Sequence, residues 1–470
     1  MGKVISDTRS RPVAVDLFAG AGGLSLGLEQ AGFDVAAAVE YDPVHAATHE
    51  YNFPQTEVIC ADVSAPLSPA RVTSAVRSGL ARHGRPSWNG EIDLLAGGPP
   101  CQGFSLIGKR LIDDSRNQLV FHFFRLVAEL RPKYFVMENV PGMTRGGHAG
   151  ILDALIAEFE DAGYRFPPDR TYKILNAADF GAPQDRKRLF LIGTRDDQAV
   201  TATPPEPIVR PVPKRVGMKT RPVLDDSLPP GPTVADAIAD LPNPTDFEEL
   251  IDSDVIRLSG KKQGVAERGA SKYARVLRGI EDDSHDFSYP RSFDVRQLGG
   301  CIRTNHTEKS IRRFSETEPG TTEPISRFYR LDPSGLCNTL RAGSGSERGA
   351  FTSPRPLHPI FPRVLSNREA ARLHSFPDWF RPHSTKWHGF RQIGNAVVPL
   401  VGRAVGAQIM AALGEDPVKP TRSYELGSAS LLDLTMSEAA ARFGAEPGSI
   451  PAGRTRGAST ADTSSDPVAA

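Results

Sequence analysis

The sequence predicts an α/β protein built on a doubly wound, mostly parallel sheet, with a second, smaller region of irregular structure. Two observations predict the sheet. Between residues 13 and 195, short apolar runs alternate with amphipathic stretches, which is typical of strands covered by helices on both faces. The first apolar run also ends in a glycine-rich turn, and acidic residues follow several later runs. Ligands of parallel sheets bind at this carboxyl edge of the strands.

The individual elements follow from this alternation. Strands are predicted at 13–18, 35–40, 57–60, 92–96, 134–138, 171–175 and 188–193, with intervening helices such as 115–130 and 150–162. Regular pattern returns later in the chain with a capped helix from Ser366, an apolar helix at 397–413 and a short helical piece around 431–442.

Composition divides the chain into four parts: 1–199 with the sheet, 200–360, 361–416 completing the first part, and a partly disordered tail at 417–470. The second part opens with clustered prolines and then lacks a strand–helix rhythm, which predicts a separate, smaller domain of mixed structure. Within it, Lys272, Arg275 and Arg278 are spaced to share one helix face. That face is either solvated or a phosphate contact.

Charge and cysteine content exclude several classes of protein. The chain has 470 residues with 56 basic and 56 acidic side chains, so any affinity for nucleic acid has to come from local patches. Its four cysteines lack C-x-x-C or histidine spacing, which predicts neither a metal site nor a disulfide framework. No apolar run approaches the length of a membrane span. We therefore expect a cytoplasmic protein without a membrane partner.

The glycine turn predicts a nucleotide-type pocket. The first strand runs into Ala19-Gly20-Ala21-Gly22-Gly23, and Glu40 ends the second strand about twenty residues later, where a carboxylate can accept hydrogen bonds from ribose hydroxyls. Tyr41 follows and could lie flat on an adenine, while Asp62, after the third strand, could meet an exocyclic amine. Together these residues predict a cofactor that contains adenosine.

A second motif places a thiol at the same edge of the sheet. Cys101 follows Gly98, Pro99 and Pro100 at the end of an apolar strand. The prolines fix the backbone, and the glycine lets a flat ligand approach closely. A cysteine buried in a core needs neither feature, so a nucleophile is the favoured interpretation. This loop and the irregular glycine spacing argue against a dinucleotide-dependent oxidoreductase.

Charged residues flank this thiol in the predicted sheet. Glu138 leaves the strand at 134–138 at its carboxyl end, where ligands of open parallel sheets bind. Arg186 and Arg188 enter the last strand, and the period of two predicts that they point the same way. The sequence therefore predicts an acid and two cations beside the nucleophile.

These motifs together resemble the bacterial DNA (cytosine-5)-methyltransferases. The matching blocks are 16–23, 98–105, 138–140, 184–188 and 391–397, in the family's order, and they cover roughly 13–410. The resemblance implies a Rossmann-like fold that uses S-adenosylmethionine and no metal, with a target recognition domain at 200–360. It also implies methyl transfer to carbon 5 of cytosine in double-stranded DNA, with the target base rotated out of the helix, in a restriction–modification system or alone.

The resemblance also assigns roles to residues. Cys101 would add to carbon 6 of cytosine, Glu138 would act as the acid near ring nitrogen 3, and Arg186 and Arg188 would hold the base's carbonyl oxygen and nearby backbone while lowering the pKa of the thiol. The implied cofactor pocket comprises Phe18, Gly20, Gly23, Glu40, Tyr41, Asp62, Asn395 and Val397. The implied DNA contacts are Ser105, Thr339, Leu340 and Arg341. Many relatives carry tryptophan where this chain has Tyr41.

The implied partners are duplex DNA, in the bacterial nucleoid, and a cognate restriction endonuclease that acts separately from a monomeric methyltransferase. Two alternatives share the fold. An RNA cytosine methyltransferase fits less well, since its relatives carry a shorter second domain. A non-catalytic DNA-binding protein would be marked by loss of Cys101, Glu138 or Arg186, and all three are present.

Overall fold

The computed structural model describes residues 11–63, 67–100, 118–169, 171–215, 227–259, 269–343 and 354–445. The α-helices within these ranges are α1 Gly23–Ala31, α2 Pro43–Asn52, α3 Pro69–Arg82, α4 Gln118–Leu130, α5 Gly147–Asp161, α6 Val234–Ile238, α7 Lys272–Leu277, α8 Glu308–Glu316, α9 Asn367–Leu373, α10 Lys386–Asn395, α11 Pro399–Leu413 and α12 Met436–Phe443. The strands are β1 Val13–Leu17, β2 Asp34–Glu40, β3 Glu57–Cys60, β4 Leu94–Gly97, β5 Tyr134–Asn139, β6 Tyr164–Arg165, β7 Tyr172–Asn176, β8 Gln184–Asp185, β9 Lys187–Arg195, β10 Ile256–Arg257, β11 Arg291–Ser292, β12 Gln297–Leu298, β13 Cys337–Asn338 and β14 Tyr424–Glu425.

One large sheet organises the described N-terminal part of the chain. Its strand order is β3-β2-β1-β4-β5-β9-β6, and β7 also pairs with β9. The strands from β3 to β5 pair in parallel, whereas β9 runs antiparallel to β5, β6 and β7. The sheet is therefore mixed, and the predicted α/β fold is confirmed with β9 as the reversed strand.

Helices cover both faces of this sheet. Val13, Val15 and Leu17 of β1 are buried in a cluster with side chains of α3, α4 and α5. Ala14, which points to the other face, packs in a second cluster with α1 and α11. This alternation along one strand is the period of two that a doubly wound sheet requires.

Element boundaries differ from the predictions where local backbone chemistry intervenes. The first strand ends at Leu17 instead of residue 18, because Phe18 has φ 58°. The helix predicted at 397–413 begins at Pro399, a position that proline favours because it lacks an N–H group to satisfy. The two-residue strands β6 and β8 were not predicted, since so short a strand shows no periodicity.

The described residues of 200–360 form short elements without a strand–helix rhythm, as predicted. Val234, Leu331 and Leu340 from this part are buried in one cluster with Leu26 and Phe390. The region therefore packs directly on the parts before and after it, and the boundaries at 200 and 360 stay predictions.

One basic residue of this region corrects an alternative drawn from the sequence. Arg278 is buried, and its Nη1 lies 3.1 Å from Oδ2 of Asp240. A phosphate contact is therefore wrong for Arg278. The spacing of Lys272, Arg275 and Arg278 predicts a shared helix face, but it does not predict which of the three side chains is buried by the rest of the protein.

The described part of the tail is folded onto the body of the protein. β14 pairs in parallel with β11, and Leu431 and Leu432 are buried against Ala47 and Tyr51 of α2. Residues 446–470 of the predicted tail lie outside the described residues.

By length and composition alone, Lys386–Leu413 could cross a membrane. The stretch comprises α10 and α11, which are separated just before Pro399. Helix α11 lies directly on α1, so closely that a Cβ atom at Gly27 would be 2.5 Å from the carbonyl oxygen of Pro399. The apolar face of α11 therefore belongs to the protein core.

Candidate active site

The predicted nucleophile Cys101 and the predicted DNA contact Ser105 lie outside the described residues. The chain that leads to them is described, and it lies against the end of β5. The side-chain amide of Asn139 donates to the carbonyl of Pro99 at 3.2 Å. A Cβ atom on Gly98 would be only 3.0 Å from Oε2 of Glu138. Glycine at position 98 thus lets the loop pass directly over the Glu138 carboxyl group.

Glu138 sits in an environment that favours its neutral form. Its side chain is 13% exposed, and Oε1 lies 3.0 Å from Nε of Arg188. Burial raises the pKa of Glu138, and the nearby Arg188 and Arg186 guanidinium groups offset only part of this effect. A carboxyl group with a raised pKa can retain a proton for a ligand at the edge of the sheet.

The two arginines have different surroundings. Arg188 faces Glu138, as the prediction of a cation beside the acid requires. Arg186 is buried and donates to the carbonyls of Leu340 at 2.9 Å, Gly394 at 2.9 Å and Ala396 at 3.1 Å. Burial, together with the neighbouring Arg188, lowers the pKa of Arg186 to about 9. Its described contacts therefore join three chain segments at the site.

The predicted DNA contacts Thr339 and Leu340 lie at this same junction. β13 pairs in parallel with β8, and the Thr339 hydroxyl donates to the carbonyl of Asp185 at 2.7 Å. The Leu340 N–H donates to Oε1 of Gln184 at 3.2 Å. Arg341 follows with an exposed side chain. The structure thus brings this segment to the strand that carries Arg186.

The predicted nucleotide pocket is organised around Glu40. Its carboxylate accepts hydrogen bonds from the N–H groups of Gly20 at 2.7 Å and Asp42 at 2.8 Å. Gly20 has φ 56°, and a Cβ atom there would meet nothing within 4 Å. The carboxylate is therefore fixed beside the glycine turn, and open space lies next to Gly20.

The remaining predicted pocket residues surround this turn. A Cβ atom on Gly23 would be 2.4 Å from the carbonyl oxygen of Val397, so glycine allows the segment with Asn395 and Val397 to reach the start of α1. Tyr41 is 38% exposed. Its pKa is raised by burial and by the nearby carboxylates of Asp62 and Asp42.

These residues suit a nucleoside better than a metal ion. An exposed aromatic ring, an anchored carboxylate and a second carboxylate can bind an adenine, a ribose and an exocyclic amine. In the described ranges, no group of three or more histidine, cysteine, aspartate or glutamate side chains is arranged to hold a metal ion. The donor set therefore fits the predicted cofactor.

Sequence reasoning assigned no role to several residues that hold the site together. Gln184 contacts Nδ1 of His374 at 3.0 Å, and Nε2 of His374 contacts the carbonyl of Ala396 at 3.0 Å. A Cβ atom on Gly394 would be 2.7 Å from the backbone nitrogen of Ala342. Gln184 and Gly394 lie inside the motifs at 184–188 and 391–397, so the sequence pointed to both positions. It did not point to His374.

Known proteins are similar to this chain over most of its length. The family model for C-5 cytosine-specific DNA methylases matches residues 13–411. The Type II methyltransferase M.XorII of Xanthomonas oryzae pv. oryzae is 50% identical over 435 residues, covering 93% of each chain. The Type II methyltransferase M.AgeI of Thalassovita gelatinovora is 32% identical over 450 residues, covering 85% of this chain and 99% of its own.

A solved structure is similar over the same region. It is a protein assigned as a DNA modification methyltransferase and encoded within a prophage of E. coli. It is 34% identical with a TM-score of 0.63, and the match covers 86% of this chain and 100% of that one.

Proposed function

We propose a covalent, base-flipping mechanism for this chain, which belongs to the C-5 cytosine-specific DNA methylase family and is a DNA (cytosine-5)-methyltransferase. The observation that carries the proposal is the position of Glu138. Its largely buried carboxyl group lies beside Arg188 and directly under Gly98, three residues before Cys101 in the chain. On this basis we assign the acid and the thiol to one site.

S-adenosylmethionine would bind at the glycine turn, where it supplies an electrophilic methyl group to carbon 5 of the target base. Glu40 would accept hydrogen bonds from the ribose hydroxyls through lone pairs that Gly20 and Asp42 leave free. The exposed ring of Tyr41 would lie on the adenine, and Asp62 would accept from its amine. Phe18, Gly23, Asn395 and Val397 would complete the pocket.

The role of Cys101 is to activate a carbon that is a poor nucleophile. Its thiolate would form a bond to carbon 6 of cytosine, and the displaced electron pair would move through the ring toward nitrogen 3. Glu138 would donate its proton to nitrogen 3, so that no charge accumulates there. Carbon 5 would then bond to the methyl group, whose former bonding pair stays with the donor, and nitrogen 3 would return its proton to Glu138. A base, which we take to be water, would remove the proton from carbon 5. That electron pair would restore the double bond between carbons 5 and 6, and the bond from carbon 6 to the sulfur of Cys101 would break and release the thiolate.

Arg188 and Arg186 would support this chemistry in different ways. Arg188 lies next to Glu138 and would hold the carbonyl oxygen of the base. Arg186 fixes the backbone around Leu340, Gly394 and Ala396. Both cations favour the thiolate form of a nearby cysteine. Thr339 and Arg341, on the segment that Arg186 holds, would lie against the DNA beside the extruded base, and Ser105 would enter the gap it leaves. The Leu340 side chain is buried in the core, so a DNA contact by that side chain is wrong, and Leu340 would instead support this segment from the protein side.

The target cytosine has to leave the duplex before Cys101 can reach it, at a cost of about a few kcal/mol in lost stacking. Residues 200–360 would contact the duplex and select the sequence. Because the similar proteins M.XorII and M.AgeI are named Type II methyltransferases, we propose that this enzyme acts in a restriction–modification system, in the cytoplasm, on nucleoid DNA.

A trapping experiment tests the mechanism. Duplex DNA with 5-fluorocytosine at the target should form a stable adduct with the enzyme and S-adenosylmethionine, because fluorine cannot leave as a proton. Mass spectrometry should place the adduct on Cys101. The Cys101→Ser variant should bind the duplex yet form no adduct and transfer no methyl group. Turnover by that variant, or modification of RNA in preference to duplex DNA, would contradict the proposal.

A further inference from the structure

Residues 320–330 form a hairpin whose tip is conformationally strained. The Gly320 N–H donates to the carbonyl of Arg330, and the Arg330 N–H donates to the carbonyl of Thr321, both at 2.8 Å. At the tip, Arg327 has φ 57°, in the left-handed region that residues with a Cβ atom rarely adopt. Strain of this kind persists only where surrounding contacts enforce it.

A buried carboxylate enforces the conformation of the tip. Glu323 is 1% exposed, and its Oε2 accepts hydrogen bonds from the N–H groups of Ile325, at 3.1 Å, and Ser326. Its other oxygen lies 3.3 Å from Nη1 of Arg313. The backbone carbonyl of Glu323 also accepts from the Arg327 N–H at 2.9 Å. One acid thus holds three consecutive residues of the tip.

The base of the hairpin is equally well anchored. The buried guanidinium of Arg330 donates to the carbonyls of Phe314 at 2.9 Å, Thr317 at 2.7 Å and Ile360 at 3.0 Å. From the hairpin the chain continues to β13, which pairs with β8 beside Arg186. The hairpin is therefore a rigid projection of the same segment that borders the active site.

The tip presents an apolar side chain beside a cationic one. Ile325 is 66% exposed. Arg327 is exposed, and its side chain has no ion-pair or hydrogen-bond partner among the residues that the structure describes. A phosphate contact would need only the cation. An exposed isoleucine two residues before it on the same tip fits the edge of a base pair, where apolar methyl groups and hydrogen-bond acceptors lie side by side.

Building on the function proposed above, we propose that this tip enters the major groove and determines part of the DNA sequence that is methylated. Arg327 donates two hydrogen bonds to O6 and N7 of a guanine, and Ile325 packs on the methyl group of a neighbouring thymine. The enforced backbone at Arg327 fixes the direction of its Cα–Cβ bond before DNA binds, so the backbone of the tip loses little conformational entropy on binding.

The test uses the full-length enzyme and its methylation site, mapped by bisulfite sequencing. Each guanine of the site is replaced in turn by 7-deazaguanine, which lacks N7, or by hypoxanthine, which keeps N7 and O6. At one guanine, 7-deazaguanine should lower kcat/KM of the wild-type enzyme by about 10-fold or more, the order expected when a charged donor loses one of its two acceptors. Hypoxanthine at the same position should have little effect.

Two variants separate an effect on base recognition from an effect on protein stability. Arg327→Ala should lose kcat/KM to a similar extent on unmodified DNA, with no further loss on the 7-deazaguanine duplex. Arg327→Gly should show the same loss with an unchanged or higher melting temperature, because glycine accepts the left-handed backbone without strain. Arg442→Ala, on the exposed face of the tail helix, serves as the control and should retain wild-type kcat/KM.

The kcat/KM of the Ile325→Ala variant is measured on duplexes in which uracil replaces each thymine of the site in turn. Arg327 contacts a phosphate, and the inference is overturned, if the loss of kcat/KM in Arg327→Ala adds to the 7-deazaguanine loss at every guanine. The same holds if the loss in Arg327→Ala disappears at low salt. An unchanged sequence preference would also overturn the inference. If the wild-type enzyme methylates no duplex DNA, the proposed function itself fails, and this inference fails with it.

Discussion

The Glu138 carboxyl group shows how its surroundings set the chemistry of one residue. The sequence placed it at a strand end, where most carboxylates are solvated and ionised. In the fold it is largely buried beneath Gly98, and burial raises its pKa despite the adjacent Arg188. The same side chain thus favours its protonated form because water is excluded from it, which is what the proposed role as proton donor requires.

Replacing Glu138 with glutamine should separate catalysis from stability. Glutamine keeps the shape but has no acidic proton, so we expect methyl transfer to fall by about 10²- to 10⁴-fold. The folded protein binds the Glu138 proton more tightly than the unfolded chain, so wild-type stability falls as pH rises from the ordinary value of 4.5 through the raised value. The glutamine variant escapes this loss.

The difference in melting temperature, variant minus wild type, should therefore be larger at pH 8 than at pH 5. Calorimetry at the two pH values and a tritiated-methyl transfer assay measure the two effects. Full activity of Glu138→Gln would rule out the acid role, and a pH-independent difference would show that the carboxyl group is ionised in the folded enzyme.

At the scale of elements, two helices position the cofactor segment through glycines. A Cβ atom on Gly27 of α1 would be 2.7 Å from Cα of Gly402, and one on Gly406 of α11 would be 2.7 Å from Cβ of Ala31. The two helices therefore pack with their backbones almost in contact. This packing brings residues 395–397, which directly precede α11, to the glycine turn.

A pair of glycine-to-alanine variants tests this packing. Gly27→Ala adds a methyl group where none fits, so it should destabilise the protein by about 1–3 kcal/mol. It should also weaken the binding of S-adenosylmethionine. Gly150→Ala in α5, where a Cβ atom would meet nothing within 4 Å, should stabilise it by about 0.5–1 kcal/mol. Urea denaturation and calorimetric titration give both quantities, and equal effects of the two variants would contradict the explanation.

At the scale of the whole molecule, a buried ionic network connects the predicted recognition region with residues 361–416, which are predicted to complete the catalytic domain. Arg372 lies 2.6 Å from Oδ1 of Asp378 through Nε and 3.2 Å from Oδ1 of Asp240 through Nη1. Asp240 also binds Arg278 at 3.1 Å. All four side chains are nearly inaccessible to solvent, so each charge depends on the others for compensation.

Asp240→Asn should reveal this dependence. It leaves three buried arginines, Arg278, Arg368 and Arg372, with Asp378 as their shared partner in the network, so we expect a loss of stability of about 3–5 kcal/mol. Asp252→Asn, at an exposed position a short distance along the chain, should change stability by less than about 0.5 kcal/mol. Chemical denaturation of both variants gives the comparison. A small effect of Asp240→Asn would mean that the two regions are joined mainly by apolar contacts.

The sequence by itself determined the alternating α/β architecture, the glycine turn and the order in which Glu40, Cys101 and Glu138 follow their strands. These features depend on side-chain periodicity and on glycine and proline stereochemistry, which act over a few neighbouring residues. The local geometry around Glu40 and Glu138 was therefore predictable from their motifs, whereas their roles stay predictions and Cys101 lies outside the described residues.

Only the tertiary structure decided which partner each buried charge has. Arg186 was expected to hold the base's carbonyl oxygen and nearby backbone together with Arg188, and the structure shows which backbone it binds, the carbonyls of Leu340 and Gly394, 154 and 208 residues away in sequence. Arg278 was a candidate for the surface and is paired with Asp240 in the interior. Such outcomes depend on which distant segments exclude water from a side chain, and no local pattern contains that information.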